Sequence, residues 1–337
     1  MASAPQMISR MPAIASIRAS VLEPLVQQID RRSGKTDVLL ATHGILRSQL
    51  EDPYAMVPIA RYVALFEDAA LITGESTLGA RMGTMFKPSD IGPIGVLFSI
   101  SPTIRSGFQR MAKYVNTVQG ATSSGVLEED GNLVWSYRLE DPRMWPRRQD
   151  SEFTLAASCQ LVRSCFSKGW KPMEIHFEHA APRDRSTLER IFRAPIRFGQ
   201  SGNRIIVSAE DANRFYRQED AGLAAVLERH VADLAGSEVP TDRMTEKVRA
   251  LIGIHIGHKP ITLPAIAGDL KISVRTLQRR LSEEGTSLRE LVRDYRQTLA
   301  ALQVRAHVQK SRMAEALGYA DSTVLWRARK GWTENAS

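Results

Sequence analysis

Residues 262–281 read TLPAIAGDLKISVRTLQRRL, and this stretch decides the fold of the last third of the chain. Pro264 suits the first turn of a short helix, because that position needs no backbone N–H. The apolar face of this helix consists of Leu263, Ile266, Ala267 and Leu270. Lys271 and Ile272 then form a tight turn, and Ser273 is a favourable N-cap for a second helix. The stretch therefore predicts two helices joined by a short turn.

The second of these helices is amphipathic. At about 100° per residue, Val274, Leu277 and Leu281 lie together on its inner face. Arginine can form two hydrogen bonds with guanine, and threonine can contact a thymine methyl group or a phosphate, so Arg and Thr on the opposite face suit the DNA major groove. A surface helical hairpin with incidental arginines is the alternative. The predicted DNA contacts in this unit are Ser273, Arg275, Thr276, Gln278, Arg279 and Arg280.

A second unit of the same kind follows about 50 residues later. Residues 313–317 end a short helix, residues 318–321 form a turn, and Asp321 or Ser322 can cap a last helix over 323–332. The predicted apolar arc of this helix is Val324, Leu325, Ala328 and Trp332. The predicted DNA contacts are Ser322, Thr323, Trp326, Arg327 and Lys330.

A continuous helix over 287–306 connects the two units. Its inner face is predicted to consist of Leu288, Leu291, Tyr295, Leu299 and Leu302. Two helix-turn-helix units joined by one long helix can place both reading helices in successive major grooves, about 10 bp apart.

The charge of the chain is concentrated in this region. Residues 1–240 carry 28 Lys and Arg against 27 Asp and Glu, whereas residues 241–337 carry 17 against 10, a net charge of +7. A basic region attached to a nearly neutral one indicates contact with a polyanion, although a solvated basic face without a partner is the alternative. Residues 234–244, LAGSEVPTDRM, have the composition of a linker. We therefore predict a sensor or regulatory domain over 1–234, a linker over 235–244 and a DNA-binding domain over 245–337.

The long first part has mixed helical and strand patterns. Apolar side chains recur at helical spacing in 57–71, 102–118 and 152–166. The period changes to two in Asn132–Leu139, which follows the hairpin signal Asp130-Gly131, and two more strands are predicted at 173–177 and 204–207. The strands do not alternate regularly with helices, which excludes a parallel nucleotide-binding sheet. The predicted fold is an α+β N-terminal domain followed by an all-α domain.

Catalytic and metal-binding patterns are absent from the sequence. It contains no G-x-S-x-G, P-loop, G-x-G-x-x-G or H-E-x-x-H motif. His176 and His179 are three residues apart in a strand and point to opposite faces, so no metal site is predicted there. Cys159 and Cys165 are predicted to be small buried apolar side chains. We therefore predict no enzymatic activity, no metal and no cofactor.

One polar cluster in the first part permits two interpretations. Arg143, Arg147, Arg148, Asp150 and Glu152 form either a solvated loop or part of a pocket for an anion or another ligand.

The composition also bears on localisation. No apolar run approaches the 18–20 residues, approximately, that span a bilayer, and the first 20 residues lack the apolar core of a secretory signal. Two cysteines exclude a disulfide framework. These observations predict a cytoplasmic protein that does not enter a membrane.

Taken together, these motifs resemble the AraC/XylS family of bacterial transcription regulators. The similar segments in the last third are SVRTLQRRLSEEGTS (273–287), RQTLA (296–300), LGYADS (317–322) and RARKGW (327–332). Upstream, residues 57–83, 101–114, 147–156 and 192–205 resemble the arabinose-binding-like sensor domain of one branch of this family.

The resemblance implies a bipartite DNA-binding domain, regulation of nearby genes, most often activation through RNA polymerase, and a small-molecule effector bound by the N-terminal domain. Members of this branch resemble sensors of amino acids and other small metabolites. By position, it implies that Arg275, Thr276 and Arg279 read DNA in the first unit, and that Thr323, Trp326 and Arg327 do so in the second. Many members form homodimers, and no heptad run here indicates where a dimer contact would lie.

The second unit departs from the family pattern. The family usually has aromatic residues where Leu325 and Arg329 stand, a small residue where Trp326 stands and a basic residue where Gly331 stands. These departures leave open an alternative function, a ligand-sensing or interaction protein whose C-terminal domain no longer binds DNA productively.

Overall fold

The computed structural model describes residues 16–334, apart from 33, 53–54, 116–121, 141–143, 145, 236–243, 257–259, 271 and 306–309. Most of the predicted linker over 235–244 therefore lies outside the described residues, as do Arg143 and Lys271. The chain is α+β, with a sheet in its first part and helices throughout. None of the helices in the described ranges is long and apolar enough to span a bilayer.

The first part begins with a small two-stranded sheet and a set of helices. Strand β1 (Ser16–Arg18) pairs antiparallel with β2 (Met56–Pro58). The helices are α1 (Glu23–Arg32), α2 (Thr36–Thr42), α3 (Ser48–Glu51), α4 (Ile59–Thr73), α5 (Leu78–Gly83), α6 (Pro93–Ile100) and α7 (Ile104–Tyr114). Helix α4 begins two residues later than its apolar periodicity predicts, because Val57 is committed to the pairing with β1.

A five-stranded sheet forms the centre of this part. Its strands are β3 (Thr122–Glu129), β4 (Asn132–Leu139), β5 (Glu174–His176), β6 (Ile196–Arg197) and β7 (Asn203–Val207). They lie in the order β3-β4-β7-β5-β6, with only the β5–β6 pair parallel among these strands. The predicted hairpin turn is present, and both Asp130 and Gly131 have positive φ angles. Strand β3 is not predicted by the sequence, because its Ser and Gly residues give no apolar alternation.

Helix α8 (Arg148–Cys165) is the central helix of the first part. It packs on β4, β7, α4 and α5. The close approach of α8 to α5 requires glycine at two positions of α5. A Cβ atom at Gly79 would lie 2.0 Å from the backbone oxygen of Gln149, and a Cβ atom at Gly83 would lie 2.6 Å from the backbone oxygen of Phe153. The helix begins four residues before its predicted start at Glu152, and this extension carries Asp150 into the core.

Three further helices complete the first part, α9 (Ser186–Phe192), α10 (Ala209–Asn213) and α11 (Ala221–Ala235). Helix α11 packs against α6, with Val231 in a small apolar cluster with Ile94 and Leu97.

Six helices make up the last part of the chain. They are α12 (Met244–His255), α13 (Leu263–Asp269), α14 (Val274–Glu283), α15 (Leu288–Arg305), α16 (Lys310–Ala316) and α17 (Ser322–Glu334). They enclose two apolar clusters. One contains Val248, Ile266, Leu277, Leu281 and Leu291, and the other contains Ile256, Leu299, Met313, Leu317 and Leu325. Helix α15 contributes to both clusters.

The two faces of the large sheet are covered differently. Alternation along β4 places Trp135 and Tyr137 in the core beneath α8, while Ser136 and Arg138 occupy the other face. Helix α12 packs against β3 and β4. Strand β4 is consequently buried on both sides, from Leu133 to Leu139.

Candidate functional site

Helix α14 presents a basic, solvent-exposed face. Leu277 and Leu281 are buried, whereas Arg275, Gln278, Arg279 and Arg280 are exposed and Thr276 is half-buried. The structure thus divides the helix as the periodicity predicts. The Ser273 hydroxyl accepts a hydrogen bond from the Thr276 N–H at 3.1 Å and therefore caps the helix.

Three of the predicted DNA contacts in this unit already have partners within the chain. The hydroxyls of Ser273 and Thr276 lie 2.8 Å apart, and Arg279 donates to Glu283 at 2.9 Å. Arg279 and Glu283 are 64% and 57% exposed, so their attraction is weak and the guanidinium can exchange partners.

Helix α17 has its cap at Asp321. The Asp321 carboxylate accepts hydrogen bonds from the N–H groups of Thr323 and Val324, at 2.7 and 2.9 Å. Ser322 is instead the first residue of the helix. Of the two capping candidates, Asp321 is the one the geometry supports, because its side chain reaches over the first turn.

The faces of α17 follow the prediction except at one position. Leu325 is buried, and Trp332 packs against the same apolar cluster. Val324 was predicted to point inward, but it is 38% exposed. Ser322, Thr323, Trp326, Arg327 and Lys330 are all exposed, and the Trp326 side chain is 63% exposed. Arg329 is also exposed.

Arg296 on α15 organises the second unit. Its Nε donates to the Leu317 carbonyl oxygen at 2.9 Å, and its guanidinium lies over the Tyr319 ring at 4.7 Å. Leu317 follows the last turn of α16, where backbone carbonyls lack helical partners, so Arg296 stabilises that helix end. The resemblance to the family at this position therefore reflects a structural contact.

The first part contains a partly open apolar cavity of about 80 Å³ between β4 and the helices around it. Its wall is formed mostly by aliphatic and aromatic side chains. The lining residues are Ile17, Val21, Tyr62, Phe86, Ile91, Ile94, Met111, Val115, Trp135, Tyr137, Phe153, Thr154, Ala157, Ser158 and Leu161.

A buried polar network lies behind one wall of this cavity. The Tyr137 hydroxyl donates to Asp150 Oδ2 at 2.9 Å. Arg147 binds Glu178 through two hydrogen bonds of 2.7 and 2.9 Å, and Arg138 lies 3.5 Å from the same carboxylate. The sequence leaves open whether the polar residues between 143 and 152 form a solvated loop. Among those that the structure describes, Arg147, Asp150 and Glu152 are each at most 2% exposed, so the solvated-loop interpretation is wrong.

Burial sets the ionisation of several groups in the network. It raises the pKa of Asp150 to about 7 and that of Glu152 to about 7. Burial also acts to raise the pKa of Glu178, but Arg147 and Arg138 outweigh it and hold that pKa below its usual range. Burial lowers the pKa of His179 to about 4, so the ring is neutral at pH 7.

His176 and His179, which are three residues apart in the sequence, have separate hydrogen-bond partners. His176 Nε2 lies 2.9 Å from Glu174, whereas His179 Nδ1 donates to the Ala180 carbonyl oxygen at 2.9 Å. Within the ranges the structure describes, no group of three His, Cys, Asp or Glu residues is arranged to hold a metal ion. Cys159 is buried and Cys165 is half-buried, and both are free thiols.

The polar network continues to the last part of the chain. The Arg138 guanidinium lies over the Tyr295 ring of α15, 5.0 Å from its centroid. Arg204 on β7 donates to the Ile256 carbonyl oxygen, at the C-terminal end of α12, at 3.2 Å. Burial lowers the pKa of Arg204 to about 9, so it still carries its charge near neutral pH, where a cation suits a helix C-terminus.

The sequence does not reveal the cavity or this contact between the two parts. Tyr295 was predicted only as an inner-face residue of the long helix, and Arg138 and Arg204 had no predicted role. The available signal was arginine at positions of β4 and β7 that alternate with core residues, since an arginine within a strand buried on both faces requires a partner.

The chain is similar to a known family and to several transcription regulators. Residues 34–215 match a family described as the arabinose-binding domain of AraC transcription regulator, N-terminal. A relative from Mycobacterium tuberculosis, the HTH-type transcriptional regulator VirS, is 22% identical over 82% of both chains. The ornithine utilization regulator of Pseudomonas aeruginosa is 24% identical over 88% of this chain and 90% of its own.

Similarity extends to a further relative and to one solved structure. An uncharacterized HTH-type transcriptional regulator of Mycobacterium bovis is 24% identical over 96% of both chains. The crystal structure of the transcriptional regulator CdpR from Pseudomonas aeruginosa is 20% identical, with a TM-score of 0.42, over 88% of this chain and 93% of that one.

Proposed function

The chain belongs to the family of AraC-type transcription regulators with an N-terminal arabinose-binding domain, and from this membership we propose that it binds specific double-stranded DNA and regulates nearby genes in response to a small molecule. The observation that carries the proposal is the face of α14. Its arginines are exposed while its leucines are buried, and a capped N-terminus with a basic outward face suits the major groove.

Residues 245–337 form the DNA-binding domain in this proposal, with two helix-turn-helix units. The α13–α14 pair is the first and the α16–α17 pair is the second, and each has its own apolar cluster. Helix α15 spans both clusters and holds the units at a constant separation, which favours binding to two successive major grooves. The predicted contacts are the exposed residues of α14 and α17 described above.

Residues 1–234 form the sensor domain in this proposal, and the apolar cavity supports an effector site there. A chain of interactions leads from the cavity wall to the DNA-binding domain. Tyr137 donates to Asp150, which acts electrostatically on the Arg147–Glu178 pair. Glu178 in turn lies 3.5 Å from Arg138, whose guanidinium lies over the Tyr295 ring. An effector that moves Tyr137 would change the position of Arg138, the next residue of the same strand, and hence the docking of α15.

The remaining partners follow from family membership. In this proposal the protein is cytoplasmic, acts on transcription through RNA polymerase and forms a homodimer. It does not act as an enzyme in this proposal, since its relatives are named as transcription regulators.

A second candidate function is a sensor that no longer binds DNA productively. The side chain that favours it is Trp326, which is 63% exposed in the middle of the α17 face and is bulky for a groove contact. Trp326→Ala would then create DNA binding that the native chain lacks.

Selection on genomic DNA distinguishes the two functions. The purified full chain is incubated with fragmented DNA at ~0.15 M salt, and the retained fragments are sequenced. We expect a few sites with two sequence blocks about 10 bp apart. A single block would mean that α17 contacts only phosphates. Retention without sequence preference, lost as salt rises, would contradict the proposed function.

A further inference from the structure

We propose that the cavity between β4 and α8 binds a small, uncharged, largely apolar molecule that carries one hydrogen-bond acceptor. This proposal rests on the proposed sensor function, and it adds the chemical class of the effector. It is carried by three properties of the cavity, namely its lining, the unpaired indole N–H of Trp135, and its size.

The lining excludes charged and sugar-like ligands. None of the described residues that line the cavity carries a charge, and the only hydroxyls belong to Tyr62, Tyr137, Thr154 and Ser158. An ion moved from water into such a site would lose its hydration without gaining a partner, and so would most hydroxyls of a pentose. Arabinose, the sugar in the family's description, is therefore a poor match.

Trp135 supplies the hydrogen-bond donor. It is 1% exposed, its ring lines the cavity, and its Nε1–H has no hydrogen-bond partner among the described atoms. The ring is held by stacking on Phe108 at 5.3 Å and on Tyr137 at 6.2 Å between centroids. A buried donor without an acceptor is costly, so a ligand carbonyl or ether oxygen that bonds this N–H supplies what the protein lacks. Because the Nε1 atom itself is fully buried, the indole ring must shift slightly towards the cavity for this bond to form.

The carboxylate behind the wall disfavours anions in particular. Asp150 accepts its hydrogen bond from Tyr137, and it lies close enough to Tyr62 to act on that hydroxyl electrostatically. Above neutral pH the ionised carboxylate would repel a negatively charged ligand near either tyrosine. The side of the cavity near these tyrosines is thus polar but closed to anions.

The volume limits the size of the ligand. An engineered apolar cavity of about 150 Å³ binds benzene, so a volume near 80 Å³ suits a molecule of roughly four non-hydrogen atoms. Met111 is the most adaptable side chain in the lining, and its movement can make room for one or two more non-hydrogen atoms of the ligand.

The test is calorimetric titration of the full chain, without DNA, with straight-chain 2-alkanones from acetone to 2-heptanone. We expect affinity to rise about fourfold per added methylene over the first members, and to stop rising by 2-hexanone. Butyrate, butylammonium and arabinose should show no saturable binding. The proposal is overturned if no ketone binds saturably, or if any of these three probes binds as tightly as 2-butanone.

A pair of tryptophan variants tests the hydrogen bond. Trp135→Phe removes the N–H, and Trp170→Phe is its matched control, because Trp170 is also buried with an unpaired Nε1 but does not line the cavity. The readout is the ratio of affinities for 2-butanone and 2-methyl-1-butene, in which CH₂ replaces the oxygen. The ratio of ketone to alkene affinity should be the same in the native chain and in Trp170→Phe, and it should fall by about fivefold or more in Trp135→Phe. An unchanged ratio in Trp135→Phe contradicts the proposal.

A third variant locates the binding site and separates this inference from the proposed function. Ala157→Leu fills the cavity and should abolish ketone binding, while binding of the selected DNA sites is measured on the native chain. Ketone binding that survives in a folded Ala157→Leu overturns the proposed site, and if this variant does not fold, the tryptophan pair decides. DNA binding is measured separately, so its failure would count against the proposed function, whereas failure of ketone binding alone would count only against the ligand class.

Discussion

Arg279 pairs with an acidic neighbour in the free protein and is free to exchange it for a base. Its bond to Glu283 joins two exposed side chains and contributes at most about 1 kcal/mol. A bidentate contact with guanine is worth about 1–3 kcal/mol of discrimination between bases, so in the proposed DNA complex the weak pair with Glu283 would not prevent Arg279 from contacting a base. Arg275, also exposed on α14, stands beside it as the second candidate reader.

The first prediction concerns these two arginines. Arg275→Ala and Arg279→Ala should each weaken binding to a selected DNA site by about 1–3 kcal/mol and relax the preference at one base pair. Arg229→Ala is the matched control, since Arg229 forms the same kind of exposed pair with Asp233, but on α11. The measurement is competition binding against single-base variants of the site. If specificity were unchanged in both α14 variants, the proposed reading face would be wrong.

Asp150 provides a prediction about pH. Burial raises its pKa from 3.8 to about 7, so between about pH 4 and 7 the native state binds this proton more tightly than the unfolded chain does. The contribution of Asp150 to the free energy of unfolding therefore falls as the pH rises from about 4 to about 7. Asp150→Asn keeps an acceptor for Tyr137 but carries no charge. It should be more stable than the native chain above pH 7, by at most about 4 kcal/mol, and the advantage should shrink as pH falls towards 4.

Urea unfolding between pH 4 and 8, followed by circular dichroism, measures this difference. Glu152 and His179 also titrate abnormally, but they are present in both proteins and cancel in the comparison. Asp233→Asn, at an exposed ion pair, should show no such trend. A constant difference between Asp150→Asn and the native chain across this range would show that Asp150 is not the group responsible.

At the level of single elements, side chains at helix ends hold together the helices in the last part of the chain. Several of these ends are held by side chains from elsewhere in the chain. Glu284, just after α14, accepts hydrogen bonds from the N–H groups of Met244 and Thr245 at the start of α12, and Arg296 holds the end of α16. These long-range caps tie the helices together without enlarging the small apolar clusters.

The cap of α17 gives a prediction with its own control. Asp321→Ala should destabilise the C-terminal domain by about 1 kcal/mol, because two N–H groups of the first turn lose their acceptor. Ser322→Ala, one residue later, should change stability by a few tenths of a kcal/mol at most, since Ser322 is already inside the helix. Thermal unfolding of the two variants distinguishes the two possible caps. Equal losses would argue against Asp321 as the cap.

Elements could be predicted from the sequence where their pattern was strong. The periods of β4, α14 and α15 define those elements to within one or two residues. Strand β3 was missed because a strand rich in Ser and Gly has little apolar alternation, and it forms because β4 provides a hydrogen-bonding edge. The inward position predicted for Val324 was wrong, because the end of α15 and α16 cover α17 mainly through Leu325 and Trp332.

At the scale of the whole molecule, the central feature is a strand with two different neighbours. Successive side chains of β4 point to opposite faces, so Tyr137 touches the cavity while Arg138 touches α15. A displacement of this strand would move side chains on both of its faces. The contact with Tyr295 is therefore one place where the proposed coupling between the two parts can be tested.

The last prediction concerns this contact. Tyr295→Leu removes the aromatic ring beneath Arg138 and should weaken docking of the two parts by about 0.5–2 kcal/mol. Tyr295→Phe keeps the ring and should behave like the native chain. Amide hydrogen exchange should become faster in β4 and at the end of α12 in Tyr295→Leu, and remain unchanged in α1 and α4. Equal protection in both variants would mean that Arg138 and Tyr295 do not hold the parts together.

The helices of the last part, the basic outward face of α14 and the α+β character of the first part can be predicted from the sequence. These features depend on local periodicity, capping and charge, which each segment carries within itself. The burial of Arg147, Asp150 and Glu178, the cavity beside Trp135 and the contact of Arg138 with Tyr295 become visible only in the folded chain. Burial and voids depend on how distant elements pack against one another, and no local pattern in the chain contains that information.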